Sequence, residues 1–209
     1  PLIKILLHQN CKIVIISHLG RPDGKFDPKL SLEPVAQRLA DLLKKPVKFV
    51  DSTIGNGVKQ AINKAKAGEI LVLENLRFEP GENQNNDEFA AQLAKIADVF
   101  IQDAFAVAHR THASTDRIAQ HIKSYVGPLV MTEIEELEEV ASNPTHPLGV
   151  IVGGAKIASK IDLIDSFIEK AEVMVIGGAM ANTFLKAAGY NVGKSVYDLH
   201  EVDDAKRII

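Results

Sequence analysis

Short apolar runs rich in β-branched residues alternate with longer stretches of helical spacing along the whole chain. Residues 12–17 (KIVIIS), 47–50, 70–73 and 99–101 read as four strands. Between them lie helical patterns. Residues 1–10 read as the end of a helix. Residues 32–43 read as a second helix, with Pro34 tolerated in its first turn. Residues 57–67 form a third, ended by Gly68, and residues 87–97 a fourth, with Asp87 as an early acid. Residues 131–141 are helical and acidic, with Glu133, Glu135, Glu136, Glu138 and Glu139 reading as a solvated face. A break at residues 142–147, with two prolines, precedes a second region. There a strand at 150–152, a helix at 157–171, a strand at 173–176 and a helix at 180–187 capped by Gly189 follow in order. A turn at 191–195 and a helix at 201–209 complete it. The alternation predicts an α/β fold with mostly parallel sheets covered on both faces.

In such sheets ligands bind beyond the carboxyl ends of the strands. The loop after the first strand holds His18 and Arg21, that after the third holds Arg77, and that after the fourth holds His109, Arg110 and His112. Each has a plain alternative: His18 can satisfy a local carbonyl, and Arg77 can pair with Glu79. Together they favour a small anion, because arginine forks match phosphate or carboxylate oxygens. The second region opens on residues 150–160, an apolar run, a glycine pair and then Lys156 and Lys160 at helical spacing. Glycines admit a ligand close to the backbone, and a helix start attracts anions. An ordinary strand–turn–helix with two solvated lysines is the competing reading, since this is no GxxxxGK[ST] loop. A second glycine pair, Gly177 and Gly178, ends the next strand. Two adjacent glycine turns at one sheet edge could frame an extended phosphate chain.

Composition narrows the classes. The 209 residues are 46% hydrophobic and 24% charged, ordinary for a globular protein of one large or two small domains. A net charge of −3 argues against a nucleic-acid partner. The single Cys11 rules out an internal disulfide framework or cysteine metal cluster and fits a reducing cytosol. No apolar run approaches the roughly 18 residues a membrane span needs. Pro1 stands where a Met would be expected and Ile209 falls inside a helical stretch, so both ends read as cut.

Five blocks, in order and spacing, resemble the phosphoglycerate kinase family. They are Ser17-His18-Leu19-Gly20-Arg21-Pro22, Glu74-Asn75-Leu76-Arg77-Phe78, Asp103-Ala104-Phe105 with Ala108-His109-Arg110, Gly153-Gly154-Ala155-Lys156, and Gly177-Gly178-Ala179-Met180 with Thr183-Phe184-Leu185. The resemblance covers the whole chain. It implies two Rossmann-like three-layer α/β/α domains joined by a connecting helix in a hinge enzyme of about twice this length. The expected division is 1–128 for part of the 3-phosphoglycerate domain, 129–147 for the connector and 148–209 for an incomplete nucleotide domain. The implied reaction moves a phosphoryl group between 1,3-bisphosphoglycerate and ADP, giving 3-phosphoglycerate and Mg-ATP, in a cytoplasmic monomer.

Carried over residue by residue, the resemblance assigns His18, Leu19, Gly20, Arg21, Arg77, His109 and Arg110 to substrate. Arg21 and Arg110 also count as catalytic. Gly154, Ala155, Lys156, Lys160, Gly177 and Gly178 fall to the nucleotide, with Lys156 stabilising the phosphoryl group in flight. Gln102, Ala106 and Val107 depart from the family's Asn, Gly and Thr. The family's first strand, with an Asp, an Asn and an Arg, is expected before Pro1. Its adenine pocket and the protein ligand for Mg2+ are expected beyond Ile209. These 209 residues alone are therefore not expected to turn over. A naturally short, non-catalytic binding module is the alternative from another class, and a dehydrogenase is disfavoured because no GxGxxG opens either half.

Overall fold

The computed structural model describes every residue except 155–157 and 159. The chain divides into two compact units, Pro1–Glu133 and Ile134–Ile209. In the first unit the order is α1 (Leu2–His8), β1 (Ile13–Ile15), α2 (Glu33–Leu43), β2 (Val47–Val50), α3 (Asn56–Lys64), β3 (Ile70–Leu73), α4 (Pro80–Asn83), α5 (Asp87–Ala94), β4 (Phe100–Gln102), α6 (Phe105–Ala108) and β5 (Ser124–Val126). The division falls within α7 (Pro128–Ser142). β6 (Gly149–Gly153), α8 (Ile161–Ile168), β7 (Val173–Gly177), α9 (Gly178–Ala187) and α10 (Val202–Ile208) follow.

β3 is the centre of the first unit. Its four residues are apolar and all are buried, as a strand covered on both faces requires. β1 and β2 pair with it in parallel on either side, Ile13 and Val47 both facing Ile70. Alternate side chains serve opposite faces. Val72 packs with Leu32 and Ala36 at the start of α2. Leu71 and Leu73 pack with Val50 of β2, with Val58 and Ala61 of α3 and with Ala65 at its C-cap. The result is helix on sheet on helix. A separate pair, β4 and β5, also runs parallel, with Phe100 opposite Ser124. Beside it Phe89, Ala90, Leu93 and Ala94 of α5 close a core with Leu76, Ala113 and Ile118. α5 starts where Asn86 accepts a hydrogen bond from Phe89 N.

The second unit repeats the βα pattern. β6 and β7 are parallel, with Gly153 opposite Gly177. Val152, Ile164, Met180 and Ala205 form its buried core. Gly178 has φ +68°, and a Cβ there would lie 3.0 Å from Gly154 O. The two glycine turns therefore touch through their backbones, and Met180 N donates to Gly154 O at 3.0 Å.

The parallel α/β architecture is as expected, with local corrections. α3 ends at Lys64, not residue 67, because Ala65 leaves the helix at φ −70°, ψ 141°. β5 was not expected at all. The helix read from 157 to 171 is observed only as Ile161–Ile168, and its first expected residue lies outside the described residues. Within α8, Ile164 is fully buried, whereas Ile168 at its end is 43% exposed.

Three outcomes test this packing. Leu71→Ala removes most of a fully buried side chain from β3 and should cost about 2–5 kcal/mol by urea unfolding. Gly178→Ala forces a left-handed φ and a close backbone contact, so it should lower stability by about 1–2 kcal/mol. Gly149→Ala, with open space around its Cβ, should cause no loss in the same measurement.

Candidate functional site

Where β3 ends, two buried polar residues organise the neighbouring loop. Glu74 Oε1 accepts from Leu32 N at 2.9 Å and Asn75 N at 2.7 Å, while Oε2 accepts from Ser31 Oγ at 2.8 Å. Asn75 is fully buried. Its Nδ2 donates to Leu19 O at 2.8 Å and to Leu30 O at 2.9 Å, and its Oδ1 accepts from Arg77 N at 3.0 Å. The loop carrying His18, Leu19, Gly20 and Arg21 is thus tied to the turn carrying Arg77. Arg77 is 6% exposed. Its Nη1 donates to Gly20 O at 2.7 Å, and Gly24 N donates to Arg77 O at 3.1 Å. Gly20 has φ +65°, and a Cβ there would meet Leu30 Cδ2 at 2.7 Å, so the loop closes only around glycine. The alternative pairing of Arg77 with Glu79 is not formed. Glu79 Oε1 accepts from Thr53 Oγ1 at 2.8 Å instead.

The loop after β4 is tied differently. Asp103 Oδ1 accepts from Leu129 N at 2.8 Å and Val130 N at 3.3 Å, capping the start of α7. Gln102 Oε1 accepts from Ala104 N at 3.1 Å. Ala106 and Val107 lie in α6 without a positive φ, so this conformation does not demand the family's glycine. Beyond α6, Thr115 Oγ1 donates to Arg110 O at 2.6 Å and accepts from His112 N at 3.2 Å. His109 is exposed and Arg110 is half-buried.

These loops bring their cations into one field. Burial lowers the His18 pKa from its ordinary 6.5, and the charges of Arg77, Arg110 and His112 lower it further. Burial likewise lowers His112, followed by Arg77, Arg110 and His109. Arg77 is lowered by burial and Arg110, with Glu82 opposing and Arg21 adding to the lowering. Glu82, 2% exposed, is the acidic group facing this cluster. Burial raises its pKa against the hydrogen bonds from Ser114 and the charge of Arg77. Arg77 Nε and Arg110 Nε are both buried without a hydrogen-bond partner. Buried cations in excess, with donors unspent, are costly unless an anion completes them. The arrangement suits a ligand with several charged oxygens. The expected loops thus deliver their cations together. Glu82 was missed, because it sits in the polar stretch 80–87, where nothing in the pattern marks one acid as buried.

In the second unit Gly154, Gly177 and Gly178 meet at the ends of β6 and β7. α9 begins at Gly178 with Gly177 as N-cap and no side chain capping it. Ala155 and Lys156 lie outside the described residues. Lys160 is the N-cap of α8, at φ −129°, ψ −6°. It precedes that helix, and the expected sharing of a helix face with Lys156 lies outside the described residues. Among the described residues no three His, Cys, Asp or Glu side chains converge as a metal site. No helix among them is long and apolar enough to cross a membrane.

The phosphoglycerate kinase family model matches residues 1–209. A phosphoglycerate kinase of Pelotomaculum thermopropionicum is 41% identical over 209 residues, which is 100% of this chain and 53% of that protein. One from Elusimicrobium minutum is 45% identical over 207 residues, 99% of this chain and 52% of that protein. Among solved structures, phosphoglycerate kinase from Coxiella burnetii superposes with a TM-score of 0.81 at 39% identity, and that from Pyrococcus horikoshii OT3 with 0.84 at 29%. Each match covers 100% of this chain and, respectively, 52% and 55% of the other. The chain spans about half the length of the relatives it matches. With a family model matched from its first residue to its last, and with the parallel α/β folds in agreement, the chain belongs to the phosphoglycerate kinase family.

Proposed function

We propose that the full-length protein catalyses reversible phosphoryl transfer from 1,3-bisphosphoglycerate to ADP, giving 3-phosphoglycerate and ATP, in glycolysis and gluconeogenesis. It is a phosphotransferase with a carboxyl group as acceptor. The observation that supports this most is the cation cluster at three strand ends, with Arg77 Nε and Arg110 Nε buried and unpartnered. A phosphate and a carboxylate on one small molecule offer enough acceptors to engage such a cluster.

In this reading His18, Arg21, Arg77, His109 and Arg110 hold 3-phosphoglycerate, with Leu19 and Gly20 shaping the loop around it. Arg21 and Arg110 also stabilise charge on the transferring group. Gly154, Ala155, Gly177 and Gly178 lie against the nucleotide, and Lys160 binds its phosphates. Lys156 stabilises the phosphoryl group in flight. Phosphoryl transfer asks for positioning and charge stabilisation rather than a covalent intermediate. Mg2+ would travel with the nucleotide and neutralise its phosphate charge. Donor and acceptor are assigned to different units, and reacting atoms must approach to about 3–3.5 Å, so hinge bending belongs to the proposal. A cytoplasmic monomer is proposed with it.

Three outcomes test this assignment in the full-length protein. Lys156→Ala should lower kcat about 100-fold with little change in 3-phosphoglycerate binding, because its contact forms chiefly in the transition state. Arg77→Ala should instead raise the KM for 3-phosphoglycerate about tenfold or more, the worth of a lost charge-assisted contact. Steady-state kinetics with the reverse pattern would overturn the roles. The third outcome concerns protons. His18 and His112 have pKa values held below 6.5 in the free protein, so both are largely neutral at pH 7. A bound dianion favours their charged forms and raises both values. Binding should therefore take up protons at these two rings. Following the histidine ring protons by NMR across a pH titration with and without 3-phosphoglycerate measures this, and an unchanged or lowered pKa at both rings would contradict the assignment.

A further inference from the structure

Glu82 is buried in α4, one turn beyond Arg77 and at the back of the cation cluster. Its side-chain hydrogen bonds run to the segment that follows Arg110. Ser114 Oγ donates to Oε1 at 2.7 Å and Ser114 N donates to Oε2 at 3.1 Å. Ala113 N donates to the Glu82 carbonyl at 3.0 Å. His112 Nδ1 lies 3.7 Å from Oε1. Nearby, Asn85 Nδ2 donates to Asp116 Oδ2 at 2.6 Å. The clamped segment is itself closed, because Thr115 Oγ1 bonds both His112 N and Arg110 O. Glu82 is thus hydrogen-bonded to Ser114, and the next residue, Thr115, is hydrogen-bonded to the backbone of Arg110. Glu82 also belongs to the same short stretch of chain as Arg77, since Glu82 N bonds Glu79 O and Glu79 N bonds Leu76 O.

We infer that Glu82 is a positioning residue for the anion site, locking the loop after β4 that carries His109, Arg110 and His112 to the loop after β3 that carries Arg77. It touches no ligand in this scheme. Its carboxylate fixes the spacing of two cation-bearing loops that come from different strands and share no sheet, since β3 and β4 belong to separate sheets. An uncharged acceptor could not take both the hydroxyl and the amide of Ser114 with full strength, and an apolar residue would leave both donors buried and unpaired. The inference rests on the proposed 3-phosphoglycerate site.

The sign of one substitution separates positioning from simple electrostatics. A negative charge beside a cation cluster weakens anion binding by Coulomb repulsion, so removing it without moving anything should tighten binding. Loss of the clamp should loosen binding. Glu82→Gln keeps the size of the side chain and one acceptor but removes the charge. In the full-length protein, Glu82→Gln should raise the KM for 3-phosphoglycerate about tenfold, the scale of a lost charge-assisted hydrogen bond, with the KM for ATP unchanged. Ser114→Ala, which keeps the fold-neutral backbone bond and loses only the hydroxyl, should raise it about threefold. The double variant should match Glu82→Gln alone, since both changes cut one link.

A lower KM for 3-phosphoglycerate in Glu82→Gln, additive effects in the double variant, or an equal rise in the KM for ATP would each overturn the positioning role. If Glu82→Gln does not fold, Ser114→Ala alone decides: the selective rise supports the role and an unchanged KM overturns it. A wild-type protein with no 3-phosphoglycerate-dependent turnover would instead overturn the kinase reading. The clamp is then read with inorganic phosphate as the probe, followed by the NMR shifts of the histidine ring protons. Weaker phosphate binding in Glu82→Gln supports it, and equal or tighter binding overturns it.

Discussion

The first unit depends on burial of β3 on both faces and on what happens when that strand stops. Four apolar residues in the middle of a parallel sheet fix β1, β2, α2 and α3 around them. The next two residues are polar and just as buried. Glu74 and Asn75 remain tolerable inside only because each spends its side-chain atoms on specific backbone groups. Those groups belong to the loop after β1, the start of α2 and the turn after β3 itself. The hydrophobic core and the geometry of the cation loops are thus successive parts of a single run of chain.

The cluster itself works against stability. Cations from three loops are drawn together, two histidines are pushed toward neutrality, and two arginine nitrogens are left without partners. Among the described residues, the buried Glu82 is the acid set against Arg77, and burial raises its own pKa. Departures from good local energetics concentrate where a ligand is meant to complete them. The surrounding α5 core, with Phe89, Leu93 and Ile118 closed over Leu76 and Ala113, supplies the packing that keeps the arrangement in place.

Much of this was legible in the sequence, for identifiable reasons. The strands at 47–50 and 70–73 were read to the residue, because β-branched runs bounded by polar turns carry a strong signal. The cation loops followed from the rule that parallel sheets present ligand sites at strand ends. β5 escaped because Ser124, Tyr125 and Val126 are all exposed, so no buried face leaves a period in the sequence. α3 stops early because backbone at Ala65 turns extended without a glycine or proline to announce it. Helical spacing misplaced Lys160, which looks periodic with what precedes it yet sits ahead of the first turn of α8. Glu82 could not be singled out, since its burial depends on Ser114, which lies 32 residues away in sequence. Lys156 and Ala155 lie outside the described residues, so their roles stand on the family resemblance.

The register of β6 and β7 places Gly153 opposite Gly177, and the turn beyond brings Gly178 against Gly154. Four residues at this strand edge thus present main chain and no side chain. A peptide group is the same whatever codon precedes or follows it. Anything that approaches there meets a surface that point mutation can obstruct but cannot rewrite. Recognition at that edge is inherited with the path of the backbone, whereas the patch built from arginines and histidines must be kept residue by residue. The two halves of the proposed reaction would therefore drift at different rates: one guarded by shape, the other by chemistry.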